Sequence, residues 1–481
     1  MKTDTTLSAG VAKVDITNRD AGPVNDPLFA KALVLKDGTK TVAIITVDAV
    51  AIGEIGHINN DYLPRVRAGL HEEFGIPPAN VLINASHCHG IVCREVDERT
   101  IQAVRDASQD ISPVNIGAGI GHEDRIMENR RLRLRNGNEC DVRHAYSLPP
   151  DEEVVGAGPI DPQIGVLRID REDGRPLAVL YNFACHPIQG VPSGANTADI
   201  SGFASRVIED NLSDDTIALF LQGCAGDINP VLYMDVDSPR NAEPLGNMLG
   251  LSVLQALRKT QSVEDGRLEV IQETIELPRA DRSDRIKRME AEQTLLMQSL
   301  QGTSLNLKTF ISLFTKYNVS GEFPSYYSHR YLHDKTMGRD DMTKLDADNR
   351  RDMQRYIENI HTMEELTRLQ TNLALLRRHQ ATNQAAPEKT IDAEIMGLRI
   401  GGLALVTFPG ELSAQTGLNI KRRSPHELTF VAAYTNGYIY YAPTEKQLSN
   451  QGWAQEDCDC LVAPGWQRLF EDKVEEILNE L

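Results

Sequence analysis

The sequence is poor in basic residues, in aromatic residues and in long apolar runs. It has 50 Lys and Arg against 69 Asp and Glu, which gives a formal net charge of −19. Because nucleic acids and anionic membranes attract positive surfaces, this balance argues against both as partners. No apolar run reaches the ~18 residues of a transmembrane helix, and residues 1–20 lack the apolar core of a signal peptide. These absences predict a cytoplasmic protein without membrane insertion.

The cysteines show no disulfide framework. There are seven, an odd number, at positions 88, 93, 140, 185, 224, 458 and 460. Without a secretion signal they are expected to be reduced thiols. Cys458 and Cys460 are separated by one residue, which is not the usual zinc spacing, so two ordinary cysteines are the better interpretation.

What the chain does have is the composition of a globular protein with a large core. It has 481 residues, of which 41% are hydrophobic and 25% charged. Strand-like apolar segments alternate with helical segments such as 60–74, which predicts an α/β fold with a mixed β-sheet core flanked by helices. Between 278 and 387 charged, helix-forming residues dominate and strand patterns nearly vanish. We therefore expect one domain, residues 1–481, with a long helical insertion at 278–387.

Single polar side chains recur where apolar strands end. The strand Val81–Ile83 is followed by His87 and His89, a second strand by His186, and a third by Glu411. In an extended backbone His87 and His89 leave on the same face. A strand that ends in a glycine-bearing loop is a common place for the chemistry of an α/β protein. A pair of surface histidines would explain His87 and His89 alone equally well, but the repetition favours a functional site.

Eight collinear blocks of the sequence resemble the catalytic domain of the neutral, non-lysosomal ceramidases, which are zinc amidohydrolases. They lie outside the helical insertion, at Ala9–Thr17, Ser86–Gly90, Asn129–Arg130, Phe183–Pro187, Asp199–Phe203, Gln222–Pro230, Pro409–Glu411 and Asn436–Thr444. Each block alone is a weak signal, whereas eight in the family's order are a strong one. The resemblance implies a ceramidase-like α/β fold and the hydrolysis of a carbon–nitrogen bond.

The resemblance also implies a metal centre. Residue by residue, His87, His186, Glu411 and Tyr441 match the family's zinc ligands, with one Zn²⁺ expected per chain. Imidazole and carboxylate ligands suit Zn²⁺, although they also admit Mn²⁺, Fe²⁺ or Co²⁺. Tyrosine is an uncommon ligand, so the neighbouring tyrosines at positions 438 and 440 stay open as alternatives to Tyr441.

Two further residues match catalytic positions of the family. By this match His89 would face the scissile carbonyl. It is the candidate proton shuttle, because the pKa of an unperturbed histidine lies near working pH. Arg130 corresponds to a cation facing the scissile carbonyl, where it would stabilise the developing oxyanion.

The departures from the family fall on the substrate side. Asn229 stands where the family has a serine, and Trp453 where it has a substrate-side tyrosine; both are candidate substrate-binding residues, and no serine nucleophile is expected. The stretch Ile91–Glu95 replaces a glycine- and proline-rich segment. The chain also stops near Leu481, without the family's C-terminal β-sandwich domain, and so resembles a short divergent member.

These features together predict a zinc-dependent hydrolase in which metal-activated water attacks an amide-type bond of a soluble small molecule. A metal-dependent carbohydrate-active hydrolase or lyase on the same fold is the alternative, favoured by the loss of the serine and by Trp453 as a sugar-stacking side chain. A non-catalytic metal-binding protein is the third possibility, but it leaves His89 and Arg130 without a role. The sequence indicates neither the substrate nor the oligomeric state.

Overall fold

A computed structural model describes residues 6–38, 40–142, 148–190, 196–231, 233, 235, 237, 240–324, 328–450 and 454–481. The described residues fall into two compact units. The first comprises Met1–Arg143, Pro150–Asp281 and His379–Leu481, and the second His144–Pro149 and Arg282–Arg378.

The strands of the described residues, numbered along the chain, are β1 Leu7–Asp15, β2 Phe29–Asp37, β3 Lys40–Val47, β4 Val81–Ala85, β5 Ser112–His122, β6 Met127–Asn129, β7 Arg131–Leu134, β8 Glu139–Asp141, β9 Val154–Ala157, β10 Gln163–Arg171, β11 Pro176–Phe183, β12 Ile217–Gln222, β13 Ile228–Pro230, β14 Leu268–Pro278, β15 Thr390–Ile400, β16 Leu403–Thr407, β17 Glu411–Leu412, β18 Leu428–Ala432 and β19 Tyr441–Ala442. The α-helices are α1 Tyr62–Phe74, α2 Val96–Gln109, α3 Asp199–Asp210, α4 Glu243–Leu257, α5 Ser283–Ser299, α6 Leu307–Val319, α7 Ser328–Thr336, α8 Asp341–Ala385, α9 Ala414–Arg423, α10 Glu445–Leu448 and α11 Trp466–Glu480. Short 3₁₀ helices lie at Pro78–Asn80 and Asp151–Glu153.

Two mixed sheets form the centre of the first unit. The larger has the strand order β12-β11-β10-β5-β1-β2-β3-β4, and the smaller β14-β15-β16-β18. The pairs β3–β4, β11–β12 and β16–β18 are parallel, and the other neighbours in these sheets are antiparallel. The predicted mixed α/β core is thereby confirmed.

Alternation along the strands builds four layers. On β2, Leu33 and Leu35 face the smaller sheet, where Leu405 and Phe430 contribute to the same core. The intervening Val34 belongs to the core that α1 and α2 cover. Helices α3 and α4 cover the β10–β12 side, and α9 and α11 pack against the smaller sheet. Because side chains alternate between the faces of a strand, strands buried on both faces, such as β3, β4, β11, β12 and β16, are almost continuous apolar runs, whereas β14 is mostly exposed and polar.

The buried amide of Asn84 joins strand ends of both sheets. The edge strands β4 and β12 of the large sheet come together at Asn84, whose Oδ1 accepts a hydrogen bond from the Gln222 backbone N–H at 2.9 Å. Its Nδ2 donates to the carbonyl of Ala433 at 2.6 Å and to Thr435 Oγ1 at 2.9 Å, just after β18. The carboxyl ends of β4, β12 and β18 are therefore held at one place.

The second unit contains α5, α6, α7 and most of α8. Its interior is partly polar: the Tyr317 hydroxyl donates to Asp346 at 2.8 Å, and the Arg350 guanidinium lies 4.4 Å from the Tyr317 ring centre. Phe310 stacks on Tyr356 with 4.7 Å between ring centres. No helix in the described ranges of either unit is long and apolar enough to cross a membrane.

A glycine on β10 sets how closely the two sheets approach. A Cβ at Gly165 would overlap the ring of Phe430, which is itself buried between the sheets. We expect Gly165→Ala to lower the free energy of unfolding by about 1–3 kcal/mol, measured by urea denaturation. Gly402→Ala is the control, since its Cβ would meet open space. Equal effects of the two substitutions would contradict this packing.

Candidate metal centre

Three side chains from different strand ends converge in the first unit. His87 follows β4, His186 follows β11 and Glu411 follows β16; one ligand atom from each lies within 4.8 Å of the others. The Oε2 atom of Glu411 is 3.7 Å from Nε2 of His87 and 3.2 Å from Nε2 of His186. All three side chains are buried. The structure thus brings together three of the four predicted ligands.

Backbone carbonyls fix the orientation of both imidazoles. Nδ1 of His87 lies 2.6 Å from the Val50 carbonyl oxygen, and Nδ1 of His186 lies 3.0 Å from that of Ile228. Because a carbonyl oxygen only accepts hydrogen bonds, each Nδ1 carries the proton and each Nε2 keeps its lone pair. Two lone pairs and a carboxylate then face one another, an arrangement that a cation between them stabilises. The donor set and its orientation therefore fit a metal ion.

Two tyrosine hydroxyls hold the carboxylate of Glu411. Tyr434 donates to Oε2 at 3.1 Å, and Tyr438 donates to Oε1. Burial by itself would raise the pKa of Glu411, but His87, His186 and the Tyr438 hydroxyl outweigh it and hold the pKa below its usual value. Burial and the adjacent Glu411 raise the pKa of both tyrosines, so they remain protonated donors.

Tyr441 lies directly beside Glu411, because the two residues are partners in the parallel pair β17–β19. Its hydroxyl accepts a hydrogen bond from Nη2 of Arg130 at 3.2 Å. Arg130 is fully buried; its Nη1 donates to Asn229 Oδ1 at 3.0 Å, and its Nε forms an ion pair with Glu456 at 2.8 Å. Burial opposes the charge of Arg130, but Glu456, Tyr441 and Glu411 together raise its pKa, so the guanidinium stays positive.

The three tyrosines that the sequence leaves open have different surroundings. Tyr438 is a donor to Glu411, and Tyr441 is held by Arg130. The ring of Tyr440 packs edge-on against His379, with 4.6 Å between ring centres. Tyr441 as the fourth ligand remains a prediction.

His89 occupies the solvent-exposed side of the centre. Its ring centre is 5.6 Å from that of His87. The expectation that both histidines leave one face of an extended strand is wrong, because His87 has a left-handed backbone with φ of 66°. This turn sends His87 into the interior and leaves His89 exposed.

Backbone strain is concentrated around these residues. Of the six non-glycine residues with positive φ in the described parts of the chain, one is Glu54 and the others are His87, Asp199, Tyr434, Asn436 and Tyr440. Such conformations cost on the order of 1–3 kcal/mol each and persist only where the surrounding structure enforces them. Their clustering is typical of a functional site.

Several residues of the centre do not follow from the sequence patterns. Tyr434 comes just after β18, and the strand-end pattern that singled out the histidines could have included it. Glu456 and Asp457 pair with Arg130 and Arg131, and no sequence signal marks these partners. The predicted substrate residue Trp453 lies outside the described residues.

The low pKa of His87 predicts a pH-dependent stability. Burial lowers this pKa from 6.5 to about 4, although Glu411 opposes the shift. Between these values the unfolded chain binds more protons than the folded one, so stability is complete above pH 6.5 and is lost as the pH falls toward 4. We expect His87 alone to contribute on the order of 3 kcal/mol to this loss in the metal-free protein.

Urea denaturation of metal-free protein at several pH values measures this loss. His87→Asn is expected to flatten the dependence, whereas replacing the exposed His57 by Asn is expected to leave it unchanged. The same slope in wild type and His87→Asn would contradict the assignment of a neutral, buried imidazole.

Comparison with solved structures identifies the fold of the chain. No protein-family model matches the chain. A neutral ceramidase from Pseudomonas aeruginosa superposes with a TM-score of 0.64 at 16% identity, over 99% of this chain and 75% of that one. A ceramidase complexed with C2 superposes with a TM-score of 0.63 at 17% identity, over 98% and 75% of the two chains. At this identity the likeness is one of architecture, and the chain has the fold of the neutral ceramidases.

Proposed function

We propose that this protein is a zinc-dependent hydrolase that cleaves an amide-type carbon–nitrogen bond in a soluble small molecule. The observation that carries the proposal is the buried group of His87, His186 and Glu411, with both imidazoles oriented by backbone carbonyls. The resemblance to neutral ceramidases supports the bond class. The net charge of −19 favours a soluble substrate over a lipid in an anionic membrane.

His87, His186 and Glu411 would hold the ion, with Tyr441 as the fourth protein ligand. The position of Tyr441 beside Glu411 in the β17–β19 pair supports its assignment. Zinc in such a site supplies Lewis acidity and lowers the pKa of a water that it binds toward about 7. Tyr434 and Tyr438 hold the carboxylate in place through their hydroxyls, so the ligand need not reorganise when the ion enters.

His89 is the proposed proton shuttle. It is exposed, next to His87, and carries the one imidazole of the group that is open to solvent and substrate. A histidine in this position can take a proton from the attacking water and deliver it to the leaving nitrogen. The nitrogen needs this proton to depart as a neutral amine.

Arg130 and Asn229 are the proposed electrostatic and substrate-binding residues. The guanidinium of Arg130 keeps its charge in a buried site, where it favours negative charge developing on the carbonyl oxygen. Asn229 orients Arg130 through its Oδ1, while its buried Nδ2 has no hydrogen-bond partner among the described residues. A substrate carbonyl would satisfy this donor. Trp453 keeps its proposed substrate-binding role on sequence grounds alone.

Metal analysis tests the centre. We expect roughly one zinc ion per chain in purified wild type, and its loss in both His87→Ala and Glu411→Ala, because each removes a ligand. His57→Ala, which removes an exposed imidazole, is the control and should retain the metal. A folded wild type that binds no metal after incubation with Zn²⁺, Mn²⁺ or Co²⁺ would rule out the proposal.

Turnover of a panel of soluble N-acyl compounds tests the role of His89. We expect His89→Ala to lower kcat by about 10²–10⁴-fold while zinc content stays at the wild-type value, because the residue moves protons and binds no metal. His122→Ala removes another exposed histidine and should leave both quantities unchanged. Unchanged turnover in His89→Ala would exclude the shuttle; lost zinc would instead make His89 a ligand.

A further inference from the structure

Glu128 is a half-buried acidic residue beside the candidate metal centre, and the proposed mechanism gives it no role. It lies in the middle of β6, between the buried residues Met127 and Asn129. Burial raises its pKa, and no charge or hydrogen bond from the described residues offsets this effect. Carboxylates that leave water are normally paired, so the side chain of Glu128 is open to an incoming group.

The strand pair β6–β13 places Glu128 next to two proposed substrate-side residues. Asn229 on β13 lies directly opposite Glu128 on β6. Residues opposite each other in an antiparallel pair have side chains on the same face, with Cβ atoms ~4.5–5.5 Å apart. The Oδ1 atom of Asn229 accepts a hydrogen bond from Nη1 of Arg130 at 3.0 Å. Glu128, Asn229 and Arg130 therefore share one face of this strand pair.

The same strand pair also holds a proposed metal ligand. Ile228, the residue before Asn229 on β13, accepts hydrogen bonds from His186 through its backbone carbonyl oxygen. This oxygen lies 3.0 Å from Nδ1 of the imidazole and 3.2 Å from the backbone nitrogen. The face that carries Glu128 is thus connected, through neighbouring residues of one strand, to the ion-binding group and to the proposed oxyanion-stabilising group.

The guanidinium of Arg130 does not neutralise Glu128, although the two side chains share a face. Its Nη1 donates to Asn229, its Nη2 donates to Tyr441, and its Nε forms the ion pair with Glu456. These contacts occupy the guanidinium, and Glu456 balances its charge. The carboxylate of Glu128 remains as a negative charge that no described residue balances.

We propose that Glu128 binds a cationic group of the substrate, so that the substrate is a small amide with an ammonium or guanidinium group near the scissile bond. This inference rests on the proposed hydrolase function and narrows its substrate class. A carboxylate forms a charge-assisted hydrogen bond with such a group. Glu128 and Arg130 are two residues apart, ~7 Å along an extended chain. A ligand whose carbonyl meets Arg130 can therefore reach Glu128 with a cation a few bonds away.

The charge of the whole chain favours the same class of substrate. A protein with a formal net charge of −19 attracts small cations and repels small anions. A substrate without a cation would cover Glu128 and leave its carboxylate unpaired and further from water, which costs free energy. Local and overall charge thus select in the same direction.

Binding of two matched probes to the metal-free protein tests this proposal. Monoacetylated diaminopropane carries an ammonium group where monoacetylated aminopropanol carries a hydroxyl. We expect wild type to bind the cationic probe about tenfold more tightly or better, measured by ligand-observed NMR titration. Glu128→Gln keeps the size of the side chain and removes its charge, so it should lose most of this preference. Glu269→Gln, which removes the same charge from an exposed position on β14, is the control and should retain it.

Turnover by the zinc-loaded protein is the second measurement. The ratio of kcat/KM for the cationic probe to that for the neutral probe should be about tenfold or more in wild type and Glu269→Gln. In Glu128→Gln this ratio should fall toward one. High salt screens attraction by the whole chain more than a contact in a half-buried site, so the preference that survives salt measures the contact. Zinc content should be the same in all three proteins, because Glu128 is not a ligand.

The possible results separate this proposal from the hydrolase proposal. Equal affinity of wild type for the two probes would overturn the role of Glu128, and so would a preference that Glu128→Gln retains. Equal losses of kcat for both probes in Glu128→Gln would assign the residue to the chemistry of the bond instead. A cationic preference in binding, without hydrolysis of either probe, would uphold Glu128 as the cation-binding residue and contradict the hydrolase function.

Discussion

The carboxylate of Glu411 is the constraint on which the centre depends. Burying an ionised carboxylate is costly unless hydrogen bonds and opposite charges compensate for the lost water. Here two tyrosine hydroxyls donate to it, and two imidazoles and a buried guanidinium surround it. These groups come from different strand ends of two sheets, so the carboxylate is satisfied only when the strands meet. Asn84 makes that meeting possible, because its amide links β4, β12 and the segment after β18.

A second polar network, the ion pairs of Arg130 and Arg131, also stabilises the candidate metal centre. Arg130 and Arg131 are both buried, and each pairs with an acidic residue of the segment that follows Trp453. Neither arginine would be tolerated there without Glu456 and Asp457, since an unpaired buried charge is strongly destabilising. Arg130 also touches Tyr441, so these ion pairs fix the tyrosine beside the centre as well as the arginines. The strained backbones of His87 and Tyr434 persist because this packing leaves them no alternative.

The two units carry different kinds of surface. The first unit holds the candidate metal centre and the excess of acidic residues, whereas the second has nearly balanced charge and exposes Leu307, Ile311 and Phe314 on α6.

The sequence by itself determined the alternation of strands and helices and the polar residues at strand ends, because periodicity and short-range order are local properties. It therefore predicted the mixed α/β core and singled out His87, His186 and Glu411 as polar residues at strand ends, and the resemblance to neutral ceramidases assigned them as ligands. It did not reveal the turn that separates His87 from His89, the hydrogen bond from Tyr434 to Glu411, or the pairing of the buried arginines with Glu456 and Asp457. These features depend on contacts between different strand-end segments, which in the pair of Arg131 and Asp457 lie more than 300 positions apart. Only the tertiary structure decides them, because the strand-end loops acquire their conformation from one another rather than from their own residues.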